Sequence, residues 1–224
     1  MPELNKFKNI HKNQDIYVIG SGPSVNFIDP SFFDNKITIG INQIYKKIKT
    51  TYLVRKEHKL LKNILEEVKD SINFVSQGNF GGSNNINYNF IKKNFNDNKN
   101  IVIYKHNTNN CKMPDKLPTD GLVVSWSTIT TGIHLAAYMG AKNIILLGHD
   151  CGTLDNKCNV DKYHTDQTYK IAHQNGEKDY KIWLSKIEDQ TIKLKKILKE
   201  THKCNIYSLN PFINFNLEGH KYSK

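Results

Sequence analysis

Short apolar runs, each closed by a glycine or a polar residue, alternate along this chain with stretches of helical spacing. Asp15-Ile16-Tyr17-Val18-Ile19-Gly20 reads as a buried strand ending in glycine. Lys36 to Ile41 is a second strand, ending at Asn42, and Thr51-Tyr52-Leu53-Val54 is a third, with Arg55 at its end. Lys56 to Asp70 has helical periodicity, with Leu60, Leu61, Ile64, Leu65 and Val68 on one face. Ile72 to Ser76 is a fourth strand, and Ile101 to Tyr104 reads as an edge strand. Between them, Gly78 to Asn100 is rich in asparagine and glycine and reads as a mobile excursion, with a short helical piece over Tyr88 to Phe95. Asn107 to Asp120 reads as loop.

The second half is more regular. Ser125 to Met139 is the clearest helix, capped by Ser127 or a neighbouring hydroxyl and stopped by Gly140. Asn143 to Leu147 is the most apolar strand and runs into Gly148-His149-Asp150. The polar stretch Cys151 to Lys178 is expected to form a lid loop. Tyr180 to His202 is a long amphipathic helix with Trp183, Ile187, Leu194, Ile197 and Leu198 inward, and Asn205 to Leu209 closes the series as a strand. Strands alternating with helices imply a Rossmann-like α/β fold, a mostly parallel sheet with helices on both faces. The 224 residues are expected to form one nucleotide-binding domain, with a variable excursion near 78–120 and the lid at 151–178.

In such sheets ligands sit beyond the carboxyl ends of the strands. Three motifs fall there: Gly20-Ser21-Gly22-Pro23-Ser24, Asn42, and Gly148-His149-Asp150. In the first, glycines allow close backbone approach, and free amides with the Ser21 and Ser24 hydroxyls can face phosphate oxygens. An ordinary strand-to-helix turn has the same composition. Asn42 can read a base edge or a ribose hydroxyl, or can bond its own backbone in a turn. Arg55 can clamp a phosphate or pair with Glu57. Ser127, Thr128 and Gly132 lie at a helix start, whose aligned peptides carry partial positive charge. Asp150 suits a ribose, a metal or an acceptor hydroxyl, while His164 and His173 are the candidates for a general base.

Composition changes this picture in two places. The net charge is +11, yet Arg55 is the only arginine. A chain built to grip nucleic acid would be expected to use the bidentate guanidinium, so nucleic acid is set aside as a partner and anionic ligands or an anionic membrane surface are favoured. No apolar run approaches bilayer length, and Met1 to Asn13 lacks the apolar core of a signal peptide, so a cytoplasmic protein, peripheral to the membrane at most, is expected. His149, Cys151, Cys158 and His164 can be drawn as a zinc site, but their spacing fits no common knuckle, and reduced thiols are the simpler reading. No Asp-x-Asp pair occurs to hold a metal on a nucleotide diphosphate.

Taken in order, Val18 to Ser24, Asn42-Gln43-Ile44-Tyr45, Thr131-Gly132-Ile133-His134 through Gly148-His149-Asp150, and Asn205 to Pro211 resemble the bacterial lipo-oligosaccharide sialyltransferases. The same elements are similar to a wider group that includes flagellar motility accessory factors and an archaeal 6-hydroxymethylpterin diphosphokinase. The resemblance implies a variant GT-A-like glycosyltransferase fold. It also implies a cytidine monophosphate sugar as donor, bound by Ser21, Gly22, Asn42, Ser127 and Thr128, and a glycan or other hydroxyl acceptor. The family's base is a histidine just before the last long helix. Lys178 to Trp183 holds none, so His164 or His173 would act from a different loop path. The diphosphokinase alternative would need magnesium, with Asp150 and Glu177 or Asp179 as ligands. A non-catalytic nucleotide or nucleic-acid binder is the third alternative.

Overall fold

A computed structural model describes residues 1–78, 85–107, 112–151, 159–161, 177–209 and 218–219. The apolar runs form β1 (Asp15–Ile19), β2 (Ile37–Ile41), β3 (Tyr52–Arg55), β4 (Ile72–Ser76), β5 (Ile101–Tyr104), β8 (Asn143–Leu147) and β9 (Asn205–Ser208). With the two-residue β10 (Glu218–Gly219) they build one sheet in the order β10-β9-β8-β1-β2-β3-β4-β5. Every neighbouring pair in it is parallel. A parallel strand covered on both faces must be apolar at successive positions, which is why these segments read as runs rather than alternations. β5 stands at one edge, as expected.

Alternate residues of each strand enter opposite cores. Ile16, Val18, Ile39, Ile41, Val54 and Phe74 face the larger one. It is closed by α3 (Thr128–Tyr138) and by α4 (Glu177–His202), which contributes Leu194, Ile197 and Leu198. On the other face, Tyr17, Ile19, Ile145 and Leu147 pack on Val25, Phe33 and Ile44. These three come from short 3-10 helices at Pro23–Phe27, Pro30–Phe33 and Ile44–Lys46. Further along that face, α1 (Leu61–Glu67) sets Leu61 and Ile64, and α2 (Ile86–Phe95) sets Ile91, against Leu53, Val75 and Ile101.

Several sequence boundaries move, each for a physical reason. The helix expected over Lys56–Asp70 is confined to α1, because His58 is drawn to Asn87 (Nδ1 to Oδ1, 2.6 Å) and Arg55 Nε donates to the Glu57 carbonyl at 2.8 Å. The excursion expected from Gly78 holds α2, which starts at Ile86 and is pinned by fully buried Asn87. Its side-chain amide donates to the carbonyls of Lys56 (2.7 Å), Ser76 (2.9 Å) and Gly78 (3.2 Å). At the two ends of the stretch read as loop, β6 (His106–Asn107) and β7 (Leu122–Val123) form a two-stranded parallel sheet. α3 starts at Thr128 rather than Ser125, and Ser127 caps it as expected, its hydroxyl accepting from the Ile129 amide. Gly140, at φ +90°, follows its end. Among the described residues, no helix is long and apolar enough to cross a membrane.

Candidate functional site

The chain runs β1 to β5 outward in one direction and then returns to place β8 on the other side of β1. That reversal opens a crevice beyond the carboxyl ends of β1 and β8, the standard ligand position in open α/β sheets. Gly20-Ser21-Gly22 follows one strand and Gly148-His149-Asp150 the other. α3 crosses β1 and β2 with its first turn at the same edge. Ile129 approaches Gly20, and a Cβ on Gly132 would meet Ile41 Cδ1 at 2.7 Å and Val18 Cγ1 at 3.0 Å. Gly132 is therefore a packing glycine buried against the sheet.

The two crevice loops are bonded to each other. Gly20 N–H donates to the Leu147 carbonyl and Gly22 N–H to the Gly148 carbonyl, both at 2.8 Å. The Ser24 amide donates to Asp150 Oδ2 at 2.8 Å, and the Ser24 hydroxyl donates to Oδ1 at 2.6 Å. That hydroxyl in turn accepts from Gly148 N–H at 3.2 Å. These bonds correct the reading of the Gly20–Ser24 amides as a free phosphate nest. The amides of Gly20, Gly22 and Ser24 are engaged, and the anion at the Ser24 amide is the buried carboxylate of Asp150. A Cβ at Gly22 would collide with that carboxylate, and one at Gly148 (φ +65°) would sit 2.7 Å from the Gly20 carbonyl oxygen. The glycines thus serve the approach of one loop to the other. Asp150 acts here as an internal clasp, both of its carboxylate oxygens bonded to Ser24.

Ser21 faces the neighbouring segment: its hydroxyl donates to Asn159 Oδ1 at 3.1 Å, and its carbonyl accepts from Val160 N–H at 2.7 Å. Asn42 turns the chain at φ +55° beyond β2, its amide donating to the Val54 carbonyl, with its side chain partly exposed. Arg55 is only 3% exposed and lies at the end of β3, two strands from the crevice. Ser127 and Thr128 stand half-buried at the crevice edge. His164, His173 and Cys158 lie outside the described residues, as do the side chains of Glu177 and Asp179.

One site feature escaped the sequence, and a second has a role it did not show. Gln43, beside Asn42 at the β2 tip, is 3% exposed, and neither its amide nitrogen nor its amide oxygen has a hydrogen-bond partner among the described residues. The sequence signal was the Asn42-Gln43 pair, in which only the asparagine was weighed as a binding group. His149 is buried with its Nε2 2.8 Å from Thr191 Oγ1. That hydroxyl donates to the Ile187 carbonyl at 3.1 Å, so it accepts from His149 Nε2–H. Burial pushes the His149 pKa down to about 3, which keeps the ring neutral. His149 therefore ties the β8 loop to α4. Burial, with Glu188 and Asp150 nearby, pushes the Cys151 thiol up. Among the described residues no group of three metal-ligating side chains forms.

No family model matches the chain, and no curated protein sequence matches it. Two solved structures do share its fold, both sialyltransferases from Campylobacter jejuni. CstII, determined with the substrate analogue cytidine-5'-monophosphate, is 15% identical over 93% of this chain and 85% of its own, with a TM-score of 0.52. The monofunctional alpha-2,3-sialyltransferase Cst-I is 16% identical over 92% of this chain and 80% of its own, with a TM-score of 0.50. The chain has a sialyltransferase-like α/β fold.

Proposed function

We propose that the chain is a glycosyltransferase whose donor is an acidic, sialic-acid-like sugar linked to cytidine monophosphate, working without a metal on the leaving phosphate. The observation that carries this reading is Gln43 at the tip of β2, the strand beside β1, a buried amide with neither polar atom partnered among the described residues. A buried polar group left without a partner is costly, and a ligand supplying both a donor and an acceptor removes that cost. A nucleotide has both. The fold shared with the CMP-bound CstII over most of both chains supports the choice of nucleotide. The lack of any Asp-x-Asp pair supports a monophosphate leaving group.

In this reading Asn42 and Gln43 hold the nucleoside. The Ser127 and Thr128 hydroxyls, at the positive end of α3, face the phosphate as it takes up charge. The acceptor hydroxyl oxygen forms the new bond to the anomeric carbon as the bond from that carbon to the phosphate oxygen breaks. The electron pair leaves with CMP, and the hydroxyl proton passes to a base, for which His164 and His173 are the candidates. The Asp150–Ser24 clasp fixes the β1 loop on which the donor would rest.

Titration calorimetry with CMP and with ATP, each with EDTA or with magnesium, tests the proposal. CMP is expected to bind equally in EDTA and magnesium, and more tightly than ATP. Magnesium-dependent ATP binding without CMP binding would overturn it in favour of pyrophosphoryl transfer.

A further inference from the structure

The turn before α3 puts a tryptophan where the backbone disfavours one. Trp126 has φ +54°, and Ser127 N–H donates to the Ser125 carbonyl at 2.5 Å, closing a three-residue turn of the rare, strained hand. Glycine or asparagine would occupy that position at little cost. The neighbours hold the turn in place: the Ser125 amide donates to Thr130 Oγ1 at 3.0 Å, and the Ser125 hydroxyl donates to Gln190 Oε1 of α4 at 3.1 Å. The Trp126 side chain is only half-buried, so core packing alone does not account for it.

A cation stands on the ring. Lys186 Nζ, from α4, lies 4.5 Å from the Trp126 ring centroid. Trp183, the only other tryptophan, is three residues earlier on α4 and so lies on the same side of the helix as Lys186. It too is half-buried, and Ile182 beside it is 45% exposed. The Trp126 indole thus carries one ammonium next to the Ser127–Thr128 turn, with Trp183 on the same side of α4 as that lysine. Flat aromatic faces suit the apolar C–H face of a pyranose, and the ammonium adds a preference for an anion on that sugar.

We propose that Trp126 and Lys186 form the acceptor subsite, specific for an acidic sugar. The indole stacks on the sugar ring, and Lys186 pairs with its carboxylate, sulfate or phosphate. This rests on the transferase reading and takes it to the acceptor side. Its test is binding of lactose and a sulfated lactose to the full chain, read by saturation-transfer NMR on the glycan protons, with and without saturating CMP. The sulfated sugar is expected to bind about tenfold more tightly than lactose. Trp126→Gly should lose both sugars while its melting temperature stays level or rises and its CMP affinity is unchanged. Trp126→Phe should restore binding, and Lys186→Met should make the two sugars equal. Undiminished binding by Trp126→Gly, equal affinity of the parent for both sugars, or no glycan signal from the parent would overturn the proposal. Absence of CMP binding would count against the transferase reading alone, because the glycan measurement without CMP still decides this one.

Discussion

A buried amide without partners lowers stability by about 1–3 kcal/mol for each stranded group, so Gln43 is held at a cost to the fold. Replacing it with a flexible apolar residue of similar length separates that cost from its use. Gln43→Met is expected to raise the unfolding free energy by about 1 kcal/mol in urea titrations and to weaken CMP binding by about tenfold in calorimetry. Lower stability with unchanged CMP affinity would mean that the amide serves packing and not the ligand. The glycines of the β1 loop illustrate what the sequence could show at this scale. Gly20 and Gly22 announced a close approach to the backbone, but not what approaches. The answer depends on Asp150, which bonds Ser24 across 126 positions of chain. No local pattern reports a pairing at that distance. Trp126 was read only as part of a hydroxyl-rich helix start, because a positive φ on a bulky residue leaves no mark in hydrophobic periodicity.

Among the elements, the parallel strands were legible because burial on both faces leaves unbroken apolar runs, and β1, β2, β3, β4, β5, β8 and β9 fall on them within a residue or two. α4 was legible from its amphipathic repeat. The short 3-10 helices that cover Tyr17 and Ile19 were not, since three to five residues are too few to show a period. Two histidines join elements and make stability depend on pH. His149 ties the β8 loop to α4. His134 of α3 accepts the Val123 amide of β7 on Nδ1 at 3.1 Å. Burial lowers both to about 3 from an ordinary 6.5, with the charge of His202 adding to the shift at His134. A histidine whose folded pKa is depressed takes up its proton first in the unfolded chain. Its contribution is complete above the unfolded value and is lost as pH falls from there toward the folded one. Unfolding free energy should thus be flat above about pH 7 and fall below pH 6.5 by about 1.4 kcal/mol per pH unit for each such group. His149→Gln should remove one group's share of that slope, measured by urea titrations at several pH values, whatever it does to stability at neutral pH. An unchanged slope would show that His149 is protonated in the fold.

For the molecule as a whole, the excess of positive charge is the property most directly legible in the sequence: 32 Lys and Arg against 21 Asp and Glu. The described ion pairs do little to confine it. Lys49–Asp70 (3.5 Å) and Lys105–Asp120 (2.7 Å), for example, join side chains that are mostly exposed, and such pairs contribute little to stability. The uncompensated lysines instead set up a field that reaches about 8 Å at physiological ionic strength. Because the charge is carried by lysine rather than arginine, it should act as a diffuse attraction with little geometric selectivity. The chain is therefore expected to co-sediment with vesicles containing phosphatidylserine at low salt, to be released as salt rises, and to ignore vesicles of pure phosphatidylcholine. CMP affinity should be the same on and off the vesicles, since the crevice loops are bonded to each other and not to the lysine surface. Binding to phosphatidylcholine, or binding that survives high salt, would point to insertion of exposed apolar side chains such as Phe27, which is 59% exposed, in place of a surface field.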